Sequence, residues 1–176
     1  MSEHSPASRE HPHRKSAPTQ VPTAVITVSD TRTLDTDTGG ALVAQLLEEA
    51  GHPVAAREIA KDERGQIADA LRAQLARDEV RAVILTGGTG VAPRDVTPEA
   101  IRPLLERVVP GFGELFRALS YQEIGSAALA SRALAGLASG RVVFALPGSR
   151  GAVELAMRKL VLPELAHLVA EAIKAR

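Results

Sequence analysis

Apolar positions along the chain fall into short β-branched runs separated by longer stretches with helical spacing. The run TAVITV at Thr23–Val28 reads as a buried strand that stops at the polar stretch Ser29-Asp30-Thr31-Arg32. Thr38, followed by Gly39-Gly40 and ALVAQLLEEAG, reads as a helix ending at Gly51. A second strand over residues 54–59 runs into Lys61-Asp62-Glu63. From Gln66, QIADALRAQLARD puts Ile67, Ala70, Leu71 and Leu75 on one face, the mark of an amphipathic helix. Residues 82–85 form a third strand leading into Thr86-Gly87-Gly88-Thr89-Gly90.

Beyond that loop, Thr97-Pro98-Glu99 combines a capping threonine, a proline at the first helical position and a first-turn acid. It predicts a helix to about Arg107, broken by Pro110-Gly111-Phe112-Gly113. A helix with Leu115, Phe116 and Leu119 follows, and the chain is then Ala-rich through Ala130. Residues 133–138 and 142–146, around Ser139-Gly140, read as a hairpin. Pro147-Gly148-Ser149 ends the last strand, and a helix from near Gly151 runs to the C-terminus, kinked or restarted at Pro163. Strands alternating with helices of this length imply right-handed βαβ crossovers. The predicted class is α/β: a three-layer sandwich with a mostly parallel sheet, helices on both faces and an antiparallel edge hairpin.

Residues 1–19 have almost nothing apolar to bury and read as a disordered tail that can be deleted without cost. Their histidines, His4, His11 and His13, match no metal-ligand spacing, while His52 and His167 read as surface or packing residues. The remaining 20–176 suffice for one domain.

Lys plus Arg and Asp plus Glu both number 21, so no net field argues for nucleic acid or an anionic membrane, and anion binding has to be local. With no cysteine, disulfides, thiolate metal sites and thiol sulfur carriers are excluded. No apolar run has the length of a membrane span or of a signal core, so a cytoplasmic protein is expected.

Ligands of open parallel sheets sit at the carboxyl ends of the strands. Ser29-Asp30, Lys61-Asp62 and the loop Thr86 to Gly90 each follow a strand, which places all three on one edge. Glycines after a buried strand let the backbone approach a ligand and present successive N–H groups, as phosphate loops do. Neither the dinucleotide fingerprint nor a Walker loop is present, and no Ser-His-Asp order has plausible spacing. With Thr97 taken as the cap, Asp95 is free for another role, and Asp62 and Asp30 can join it as oxygen ligands of magnesium. For Asp30 the alternative is local capping of backbone groups in residues 29–33.

Together, VITVSDTR, Lys61-Asp62-Glu63, TGGTGVAPRDVTPEA, PGFGELFR, Ser131-Arg132 and FALPGS resemble the MoaB/Mog family of molybdenum cofactor biosynthesis proteins over 20–176. LPGSR after the last strand leans to the MoaB branch. The resemblance implies a homotrimer or hexamer and a molybdopterin adenylyltransferase using magnesium and ATP, with contacts to other enzymes of the pathway possible. It implies Asp62 and Asp95 as the catalytic, metal-holding pair. Gly87, Gly88, Thr89 and Gly90, with Thr86 before them, form the phosphate loop, while Ser29, Asp30, Pro147, Gly148 and Ser149 line the pocket. Some MoaB-branch members bind without adenylylating, so a catalytically silent molybdopterin-binding or scaffold paralogue is the alternative.

Overall fold

The computed structural model describes residues 17–174; the expectations for His4, His11, His13 and the rest of residues 1–16 lie outside the described residues. Its strands are β1 (Thr23–Val28), β2 (Val54–Ala60), β3 (Ala82–Thr86), β4 (Arg107–Val108), β5 (Leu134–Ala138) and β6 (Arg141–Leu146). They form one sheet in the order β2-β1-β3-β6-β5-β4, parallel from β2 through β6 and antiparallel at β5 and β4. Every residue of β1 and β3 is buried, as continuous apolar and β-branched runs require of strands covered on both faces. Strand β2, at the edge, is half-buried.

Two apolar clusters cover the faces. One holds α1 (Thr38–Glu49), α4 (Pro110–Ile124), α5 (Arg150–Ala156) and α6 (Leu162–Ile173) against the sheet; the other holds α2 (Arg64–Leu75) and α3 (Thr97–Ile101). The βαβ reading, the sandwich and the antiparallel hairpin are borne out. Ser139 and Gly140 have φ of 51° and 72°, the pair of positive values that a tight two-residue hairpin turn uses. Among the described residues no helix is long and apolar enough to cross a membrane.

Two local expectations need correction. The helix from Thr97 stops at Ile101, passes through a 3₁₀ turn at Arg102–Leu104, and gives way to β4, whose flanks pair through Glu106 N–H to Leu137 O and Val109 N–H to Ala135 O. Pro103, lacking an N–H, cannot extend the α-helical ladder. Pro110 does not break a helix but opens α4, where its fixed φ fits the first turn. Within α4, Phe112 and Phe116 are buried, and Phe112 packs edge-on against Phe144 at 5.3 Å. The exposed apolar side chains nearby are Leu115, Tyr121, Ile124 and Leu129. Pro163 is accommodated by a π turn at Met157–Val161, which widens the helix ahead of the ring.

His52 is buried, and its Nδ1 accepts the Val21 N–H at 3.2 Å, which requires the neutral ring. Burial pushes its pKa below the ordinary imidazole value. The unfolded chain therefore binds a proton that the fold refuses, so stability should fall as pH drops below about 6.5. Thermal melts from about pH 8 to pH 5 check this: His52→Gln, which keeps an acceptor but does not titrate, should flatten the slope. An unchanged slope would assign the loss to other groups.

Candidate functional site

The carboxyl ends of β1, β3 and β6 meet at Gly87. Its N–H donates to Leu146 O at 2.9 Å, and a Cβ there would overlap Val28 O. Gly148 packs tightly on it: a Cβ there would lie 3.3 Å from the Gly87 Cα. Gly87 and Gly88 have φ of 102° and 66°, values that L side chains rarely adopt. The successive carbonyls of Gly87 to Gly90 are all bonded. Thr97 Oγ1 donates to Gly87 O and Thr97 N–H to Gly88 O; Arg132 N–H donates to Thr89 O and Arg132 Nε to Gly90 O. In a trans peptide the next N–H points opposite to the carbonyl. The N–H groups of Gly88, Thr89, Gly90 and Val91 therefore each point away from the bonded carbonyl before them, and none has an acceptor among the described residues. Consecutive unpaired N–H groups in such a turn form an anion cradle.

Carboxylates flank this cradle. Asp62 Oδ1 lies 3.3 Å from where a Gly88 Cβ would stand and Asp95 Oδ2 lies 2.7 Å from the Gly90 position, so a side chain at 90 would collide with Asp95 and one at 88 would press on Asp62. Asp30 accepts the Asp62 N–H at 3.2 Å through Oδ1 and pairs through Oδ2 with Arg94. The Arg94 guanidinium holds the Asp30 carboxyl below its ordinary value. Asp62 is the opposite case: burial, then the charge of Asp30, push its carboxyl up, with Asp95 adding and Arg94 offsetting. A backbone hydrogen bond with Asp30 also works against that rise.

Among the described residues, no group of three or more His, Cys, Asp or Glu is arranged as a metal cage. The donors suit a different kind of site. Magnesium commonly takes one or two carboxylates and completes its shell with water and substrate phosphate. Asp62, its carboxyl raised by burial and then by two neighbouring carboxylates, fits such a cation.

A second part of the edge lies between β1 and α1. Thr27, Ser29, Arg32, Asp37, Gly39, Thr86, Gly87 and Gly148 are among the residues around a cavity of about 170 Å³. Asp37 is buried and caps α1 by accepting the Gly40 N–H at 2.8 Å; it also accepts from Thr27 Oγ1 at 2.7 Å and from Arg57 at 3.1 Å. Ser149 caps α5 through the Ala152 N–H, and Thr86 Oγ1 donates to Pro147 O.

The predicted residues thus divide into two adjoining groups: Asp30, Asp62 and Asp95 about the glycine loop, and Ser29, Thr86 and Gly148 about the β1–α1 cavity. Local capping in residues 29–33 falls to Ser29, whose Oγ accepts from Thr31 and Arg32, and not to Asp30. Two readings are overturned. Thr97 does not cap α3, since its hydroxyl is spent on Gly87 O and the N-cap residue is Val96. Nor is Asp95 free: its Oδ2 accepts the Ala92 N–H at 2.9 Å and shapes the turn, leaving Oδ1 available. Asp37 went unnoticed although an Asp before Thr-Gly-Gly is a capping signal. Arg132 appeared only as a motif residue, because its partners are remote in sequence.

The model of a family described as a probable molybdopterin binding domain matches residues 24–167. The chain is 56% identical over 160 residues to molybdenum cofactor biosynthesis protein B of Bacillus subtilis, covering 90% of this chain and 94% of that one. A crystal structure of molybdenum cofactor biosynthesis protein B superposes with a TM-score of 0.87 at 50% identity, over 90% of this chain and 99% of that one. The tungsten cofactor synthesizing protein MoaB from Pyrococcus furiosus superposes with a TM-score of 0.80 at 36% identity, over 89% and 99% of the two chains.

Proposed function

This chain belongs to the molybdopterin-binding family of molybdenum cofactor biosynthesis, on its MoaB branch, and from that membership we propose that it adenylylates molybdopterin with magnesium and ATP. A role in molybdenum cofactor biosynthesis follows from the family itself. The observation that carries the finer reading is the run of four consecutive unpaired N–H groups beside a charge-crowded Asp62.

In the proposed reaction a terminal phosphate oxygen of molybdopterin attacks the α-phosphorus of ATP. The new P–O bond forms as the bond to the β-phosphate oxygen breaks, and pyrophosphate leaves with that electron pair. Both reactants are anions, so the site has to offset their repulsion and hold them in line. The N–H groups of Gly88, Thr89, Gly90 and Val91 would receive phosphate oxygens at no cost in reorganisation. Asp62, with Asp30 or the Asp95 Oδ1, would hold magnesium, which supplies charge neutralisation to the phosphates. No general base is required, because the attacking oxygen is already ionised. Transfer of label from the α-position of ATP onto molybdopterin is the expected result; label that stays in ATP while molybdopterin binds would favour the silent paralogue. The Ala92 hydrogen bond to Asp95 is the observation on the side of that alternative, since it gives this carboxylate a purely structural use.

The proposal includes self-association as a homotrimer or a pair of trimers. Leu115, Ile124 and Leu129 are 56%, 61% and 80% exposed on α4 and the 3₁₀ turn after it, a grouping that suits burial against another copy. Light scattering should give a multiple of three chains, and Leu129→Asp should shift it toward the monomer. A parent protein that is monomeric at micromolar concentration would contradict the assembly.

A further inference from the structure

All the loop carbonyls that face away from the cradle end on two residues, Thr97 and Arg132. Arg132 reaches furthest. Two residues before β5, its backbone N–H bonds Thr89 O, its Nε bonds Gly90 O at 2.7 Å, its second terminal nitrogen bonds Asp95 O at 2.6 Å, and its first pairs with Glu99 of α3. One side chain thereby ties both ends of the segment 90–95 to the helix that follows it. Taking the glycine loop as the phosphate site, we propose that Arg132 is its positioning residue, which aims the N–H row and the Asp95 turn from behind without touching the ligand.

The chemistry requires a guanidinium. The contacts to Gly90 O, Asp95 O and Glu99 come from three different nitrogens of one planar fork, and an ammonium at the end of a lysine is a point donor that cannot span them. The pairing also holds Glu99 below its ordinary carboxylate value, so the clamp keeps its charge at neutral pH. The side chain is 33% exposed and borders two neighbouring cavities of about 500 and 290 Å³, which gives a small cation in solution a route to its place.

The test compares the full chain with Arg132→Ala and Arg132→Lys, reading affinity for inorganic pyrophosphate and label transfer from ATP. Arg132→Ala should lose about tenfold in pyrophosphate affinity and about 10² in turnover, as expected when donors are present but misaimed. Arg132→Lys should be nearly as poor. Guanidinium at tens of millimolar, well below denaturing levels, should restore at least about tenfold of the loss in Arg132→Ala while leaving the parent and Arg132→Lys unchanged. Rescue of this kind is something a lost packing contact would not give. Arg132→Lys with parental affinity and turnover, or Arg132→Ala that gains nothing from guanidinium, would overturn the assignment. Should Arg132→Ala not fold, Arg132→Lys decides alone. A parent protein that binds pyrophosphate but transfers no label would remove the adenylylation reading and leave Arg132 to be judged on pyrophosphate affinity.

Discussion

Asp62→Asn is expected to cut turnover by about 10² or more while the melting temperature stays at or above that of the parent chain. The two halves of this result have one cause. Asp62 sits beside Asp30 and Asp95 and has its carboxyl pushed up by burial and by those neighbours. A carboxyl whose folded pKa lies above its unfolded value favours the fold below the unfolded value and loses that advantage as pH rises through the folded one. At neutral pH the ionised Asp62 is therefore a burden on the empty fold, and an amide of the same shape removes it. A residue kept at a cost to stability is the pattern of a functional site. Lower turnover should also set in, as pH falls, above the ordinary carboxylate range, because a proton on Asp62 displaces the cation. Asp95→Asn should lose turnover too, with its turn intact, since the amide oxygen can still accept from Ala92. The double variant should lose less than the product of the single losses, because two ligands of one cation act as a unit. A destabilised Asp62→Asn with parental turnover would make the residue structural.

Gly88→Ala should damage turnover severely. At φ 66° an alanine is strained, and its Cβ would overlap Thr97 Oγ1 and press on Asp62 Oδ1, so the hydroxyl that holds Gly87 O is forced out. The strain alone costs about 1–3 kcal/mol, and the loss of aligned donors should lower turnover by about 10³. Gly65→Ala is the control, because a Cβ there meets nothing within 4 Å. Melting temperature and turnover measured on both variants check the claim; a Gly88→Ala protein with parental turnover would show that the cradle is only a turn.

What could be read from the sequence follows the range over which each cause acts. TAVITV announces β1 because burial on both faces is written into consecutive residues, and Ser139-Gly140 announces the hairpin because a turn is local. Strand β4 carries no such pattern: it has two exposed residues and exists because Leu137 and Ala135 offer it carbonyls. Thr97 resembled a cap from its neighbours, yet its hydroxyl is claimed by Gly87, ten residues away. The same holds for the site. The glycine loop and Asp62 follow from their position after a strand, whereas the Arg132 bond to Gly90 spans 42 residues and only the folded chain reveals it.

The central claim is that the cradle and Asp62 perform a transfer and do not merely hold a ligand. It is tested most directly by mixing the full-length protein with ATP, magnesium and molybdopterin and following pyrophosphate. The account predicts one pyrophosphate released for each molybdopterin adenylylated, and release only when all three components are present. Molybdopterin that binds tightly while no pyrophosphate appears, under conditions where the assembled protein is folded, would contradict it.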